Sequence, residues 1–116
     1  MPQLDFNTLK KWAQNENLRL TPQDEELLLA DGKYLDLILK LLDTTPMPRQ
    51  KSNLLIDALC IIVYDNTIDA NLQRDITLKN RVITELNKRQ SLLKQADKHM
   101  PDFIKKVVYP QLRLPN

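Results

Sequence analysis

The chain has 116 residues, 42% of them hydrophobic and 28% charged, with a formal net charge of +2. That balance supplies enough apolar surface for a core without disulfides or metal, and it excludes wholesale disorder. The single glycine, Gly32, argues against a sheet protein, whose tight turns need several.

The predicted elements are all helical. The first helix spans Phe6 to about Glu16, with Asp5 placed to cap its free amides and Phe6, Leu9 and Ala13 on one face beside Trp12. Thr21-Pro22-Gln23-Asp24 reads as a second helix start, with Thr21 as the N-cap, Pro22 at the first helical position, and Asp24, Glu25 and Glu26 in the first turn. This helix is expected to reach about Ala30, where Asp31-Gly32 interrupts it and Asp31 can cap the next.

A third helix, Lys33 to Asp43, is apolar around most of its circumference and should be buried on several sides. Pro46 and Pro48 make the next stretch a loop. A fourth helix from about Arg49 to Tyr64 carries the densest aliphatic run and should be central, with Asp57 as the one charge in that run. Asp65-Asn66-Thr67 reads as a turn.

The fifth helix is expected to be long, from about Ala70 to Lys98. Ile76, Val82, Ile83, Leu86 and Leu93 share a broad apolar face with Leu72, and Arg74, Arg81 and Lys88 line the other side at intervals of seven. Pro101 ends it, a sixth helix covers Asp102 to Tyr109, and the tail from Gln111 to Asn116 reads as extended. The fold class is therefore all-α: one helical domain over residues 1–116, a compact bundle of about five to six helices built from antiparallel helical hairpins. The two helix–turn–helix segments, Asp24 to Asp43 and Arg49 to Leu93, share only a general antiparallel pattern, and the chain's short helices joined by proline-containing turns are similar to HEAT-like hairpins. No repeat unit is exact.

The start, Met-Pro-Gln-Leu-Asp, lacks the basic region and apolar run of a secretory signal, and the longest apolar run, Ala58 to Tyr64, is too short to span a bilayer. A cytoplasmic protein without membrane contact is expected. Charge is unevenly divided. Residues 1–70 carry seven Lys/Arg against eleven Asp/Glu, and residues 71–116 carry ten against four. Such asymmetry marks either an interaction surface or two halves that pack with complementary charge.

Candidate chemistry is sparse. His99, the one histidine, stands at a predicted helix end, where a capping or surface role suits it better than general-base work. Cys60 lies among bulky aliphatics, which favours an inert core thiol over a pair with His99. One cysteine and one histidine cannot make the usual zinc set. A single glycine excludes the glycine-rich phosphate loops. Asp24, Glu25, Glu26, Asp31, Asp36 and Asp43 could form an acidic patch, but no ExxH pair accompanies them. Asp57 calls for a partner: an ion pair with Arg49 or a basic residue of the fifth helix, or alternatively an exposed edge.

The best positive feature is the basic stripe Arg74, Arg81, Lys88 and Arg89. With no catalytic constellation and no cofactor or metal site implied, the expected function is non-catalytic protein–protein interaction. The partner would present an acidic surface, as for a bacterial immunity or adaptor-type protein. The alternative is a nucleic-acid-binding regulator that uses the basic face of residues 70–98, although few aromatics accompany the stripe for base stacking. The wide apolar face of the fifth helix, with Trp12, Phe103 and Tyr109, would also suit a homodimer interface.

Overall fold

A computed structural model describes residues 4–68 and 74–113. Helix α1 (Phe6–Gln14) starts as the sequence predicts: the Asp5 carboxylate accepts the Thr8 N–H at 2.8 Å. It ends earlier than expected, because Asn15 turns out of the helix and its side chain accepts the Asn17 N–H at 3.0 Å. Its inner face buries Leu9, Trp12 and Ala13 completely. Trp12 is thus a core residue and contributes nothing to an exposed interface.

Helix α2 (Glu25–Leu29) starts later than the Thr21-Pro22 signal implies, with Asp24 at its N-cap. Two competing sets of bonds explain the shift. The Thr21 hydroxyl accepts the Gln23 N–H at 3.3 Å, and Arg19 donates to the carbonyls of Thr21 and Gln23 at 3.2 and 3.0 Å, which together fix residues 19–23 as a turn. Glu25, expected on a solvated first turn, is instead 5% exposed. One oxygen, Oε2, receives both the Trp12 indole N–H at 2.7 Å and the Leu20 N–H at 2.6 Å. Lys51 completes this buried polar cluster. Its ammonium lies 4.1 Å from the Trp12 ring centroid and donates to the Leu18 carbonyl at 2.6 Å.

Asp31 caps a 3₁₀ turn (Gly32–Tyr34) by accepting the Lys33 N–H at 3.1 Å, and the turn leads directly into α3 (Leu35–Thr44). After the proline loop comes α4 (Arg49–Ile68), four residues longer than its predicted end. Asp65-Asn66-Thr67 does not break it. Asn66 and Thr67 bond back to the Ile62 and Val63 carbonyls at 2.9 and 2.7 Å, so their side chains support the last turn they were expected to end.

The predicted long fifth helix is two helices. Its first positions, Ala70 and Leu72, lie outside the described residues. Helix α5 (Ile76–Asn87) is capped by Asp75, which accepts the Leu78 N–H at 2.9 Å. Arg89 leaves helical geometry (φ −122°, ψ 42°), and α6 (Gln90–Ala96) follows, then a 3₁₀ turn (Asp97–His99). Ile76, assigned to the apolar face, is exposed, whereas Val82 and Leu86 are fully buried. Helix α7 (Asp102–Val108) and a last 3₁₀ turn (Tyr109–Gln111) finish the described chain, with Leu112 extended beyond them. Residues 114–116 of the expected tail lie outside the described residues.

The described residues thus form an all-α bundle of seven α-helices with no strand. Helix α4 is its hub. It packs against α2, α3, α5, α6 and α7, and Leu55, Ile56, Ala58, Leu59, Cys60 and Val63 are fully buried along it. This accounts for the nearly unbroken aliphatic run from Leu54 to Val63, which other helices surround. Among the described residues, no helix is long and apolar enough to cross a membrane.

Candidate functional site

The basic stripe does not face solvent as one surface. Arg81 reaches across to α3 and pairs with Asp36. Arg89 is only 11% exposed; its guanidinium grips both Asp43 oxygens, at 2.8 and 2.7 Å, and Glu85 at 3.0 Å. Asp36 and Asp43 stand two turns apart on α3, as Arg81 and Arg89 do on the α5 side, so the two elements meet as matched charges. Complementary packing of the acidic first half and the basic second half is therefore realised here. Burial pushes the Glu85 carboxyl upward, but hydrogen bonds from Arg89 and Lys88 outweigh it and hold the group below the usual value. Arg74 is exposed, just before α5.

Lys88 differs from its neighbours. Its ammonium touches Glu85 at 3.2 Å, and its side chain remains 64% exposed. It stands at the rim of a groove of about 600 Å³ lined by Asn80, Ile83, Thr84, Asn87, Lys88, Gln90, Gln111 and Arg113. Helical spacing creates one wall, since residues 80, 84 and 87 share a face of α5 and Lys88 continues it at the C-cap. The other wall is the segment after α7, tied down by side-chain amides. Asn87 Oδ1 accepts the Arg113 N–H at 2.8 Å, and Gln90 Nε2 donates to the Arg113 carbonyl at 2.6 Å. Gln111 donates to the Val107 carbonyl at 2.8 Å and to the Thr67 hydroxyl at 3.2 Å. Two cations, four amides and one hydroxyl line this groove, and among the described residues no carboxylate does. Such a lining suits carboxylates and peptide groups, which accept from all of these donors.

The structure therefore separates the four stripe residues. Arg81 and Arg89 join α5 and its C-terminal end to α3, Lys88 edges the groove, and Arg74 stands apart from it. Sequence reasoning missed Asn87, Gln90, Gln111 and Arg113. Amides carry no periodic signal, and Arg113 lies in a tail that reads as featureless.

The remaining candidates are dispersed. Cys60 is fully buried, and burial, with Asp57 adding to it, pushes its thiol up to about 12. His99 is exposed at the end of the turn after α6, so the two do not form a pair. The six acids of the expected patch are divided: Asp24 and Asp31 at N-caps, Asp36 and Asp43 in the α3–α5 ion pairs, Glu25 buried, and Glu26 half-buried on α2 near Asp57. Among the described residues, no group of three or more His, Cys, Asp or Glu side chains is arranged to hold a metal. Asp57 lacks the expected cation: its Oδ1 is buried without a hydrogen-bond partner, and no ion pair among the described residues includes it. Exposed apolar side chains are scattered, with Phe103 set edge-on to Tyr64 at 5.4 Å between ring centroids.

Comparison with protein-family models, with curated proteins and with solved structures returns no match.

Proposed function

We propose that this protein is a non-catalytic binding module that takes an acidic segment of a partner protein into the groove between α5 and the chain after α7. The carrying observation is the lining itself: Lys88 and Arg113 with surrounding amides and, among the described residues, no carboxylate. The amides of Asn87 and Gln90 already bind the N–H and C=O of Arg113, which is how an extended peptide backbone would be held. An adaptor or immunity-type role belongs to this class of module, since both act by occupying a partner's surface.

A nucleic-acid ligand is the weaker reading. Arg81 and Arg89 are occupied by carboxylates, which leaves fewer cations for phosphates.

The test is fluorescence anisotropy with a labelled oligoglutamate peptide at low salt, run beside an oligolysine peptide and a short DNA duplex. Selective binding of oligoglutamate, weakened at least about tenfold in the Lys88→Glu/Arg113→Glu double variant, is the expected result. Equal binding by the double variant, or none by the parent chain, would sink the proposal. Tight salt-dependent retention of DNA would favour the nucleic-acid reading.

A further inference from the structure

One face of α4 carries two polar side chains whose acceptor oxygens have nothing to accept. Asn53 Oδ1 and Asp57 Oδ1 are both shielded from solvent, and among the described residues both lack a hydrogen-bond partner. Four residues apart on a helix, they lie on adjacent turns of the same face. Helix α2 packs against α4, and from it Glu26 acts on Asp57. Cys60 is the neighbouring titratable group on α4 itself, and Tyr109 approaches from the turn after α7. None of these groups carries positive charge. Among the described residues, an ionised Asp57 would therefore sit near an orphaned oxygen and a second carboxylate with no cation to offset it.

We propose that Asp57 is a proton-operated latch between α2 and α4. A proton taken from solvent by its carboxylate removes the repulsion toward Glu26 and supplies a donor one turn from Asn53 Oδ1. Loss of that proton loosens α2. Burial, with Glu26 adding to it, pushes the Asp57 carboxyl up to about 7, so the latch changes state near neutrality.

The consequences of release run through Glu25. It belongs to α2, and it holds the Trp12 indole and the Leu20 amide. Movement of α2 would break both bonds and reshape the cleft of about 650 Å³ lined by Thr21, Gln23, Asp24, Leu27 and Leu28. This cleft is separate from the α5 groove, so the latch stands independently of the binding proposal.

Trp12 is the one tryptophan and so reports directly on α2. The intact protein would be followed from pH 5 to 9 by tryptophan emission and by carboxyl-carbon NMR of Asp57. The expected result is an Asp57 midpoint near 7 together with a red shift of Trp12 emission that grows as pH rises toward that midpoint and levels off above it. The open fraction would grow by at most about tenfold per pH unit. Asp57→Asn should abolish the Trp12 response, and Glu26→Gln should move the Asp57 midpoint downward. An Asp57 midpoint in the ordinary carboxylate range overturns the proposal, as does a Trp12 response that persists in Asp57→Asn. If Asp57→Asn does not fold, the NMR midpoint and its shift in Glu26→Gln decide the matter.

Discussion

The Trp12 indole N–H and the Glu25 carboxylate meet at 2.7 Å inside the protein, and that contact joins α1 to α2. The same oxygen takes the Leu20 amide, so the carboxylate also closes the intervening loop. Removing it would leave one buried and one half-buried donor unsatisfied and deprive Lys51 of the carboxylate that opposes the desolvation of its ammonium. Glu25→Ala should cost about 2–4 kcal/mol in chemical denaturation and red-shift the tryptophan emission. Glu25→Gln, which keeps an acceptor, should cost less. Equal stability of Glu25→Ala and the parent chain would refute this account.

The two α3–α5 ion pairs should differ in weight. Arg89 is mostly buried and bidentate, whereas Arg81 and Asp36 are both largely exposed. A double-mutant cycle on Arg89 and Asp43 should return a coupling of about 1 kcal/mol or more, and one on Arg81 and Asp36 less than about 0.5 kcal/mol. Raising the salt concentration should erase the second before the first.

Cys60 should be silent in the folded protein. A fully buried thiol pushed up to about 12 is protonated at pH 8 and sealed from reagents. Its modification by an aromatic disulfide reagent should then proceed only as fast as the protein unfolds, and become immediate in denaturant. Rapid stoichiometric reaction under native conditions would contradict the packing of α4.

Asp57 also sets a direction for global stability. Its carboxyl is raised from 3.8 to about 7 in the folded state, so the folded chain holds the proton more tightly than the unfolded one. Between those values the folded state binds more protons, and the contribution of Asp57 to stability falls as pH rises, levelling off above about 7. Removing the charge should therefore help most at high pH. After discounting for its partial exposure to solvent, Asp57→Asn should gain about 1 kcal/mol at pH 8 and almost nothing at pH 4, measured by urea denaturation at both.

Gly32 should prove replaceable. Its backbone is not in the left-handed region, and an added Cβ would come within 2.7 Å only of a terminal methyl of Leu78. That methyl ends a flexible, half-buried side chain that can turn aside. Gly32→Ala should change stability by less than about 1 kcal/mol, because the lost freedom of the unfolded chain offsets the crowding.

The helical class was legible because periodic apolar spacing survives any detail of packing, and the hub role of α4 was legible because its run lacks a polar face. The caps at Asp5 and Asp31 were readable for the same local reason. Failures arose where a distant partner outbid a local preference. Glu25 abandoned a solvated first turn for the Trp12 indole. Arg89 left the helix, with its guanidinium on Asp43, an acid from another element. Thr67 and Asn66 extended a helix they were expected to end. The groove was largely invisible, because its two walls lie some twenty-five residues apart and its amides repeat with no period.

An axle that touches five spokes leaves no cheap way to divide the molecule. Cleaving the chain between residues 68 and 74 would strip α5, α6 and α7 from the flank of α4 and wet a continuous strip of aliphatic side chains. Neither piece could shelter that strip alone, so each should stay soluble only when mixed with the other, and the pair should reassemble in a one-to-one ratio.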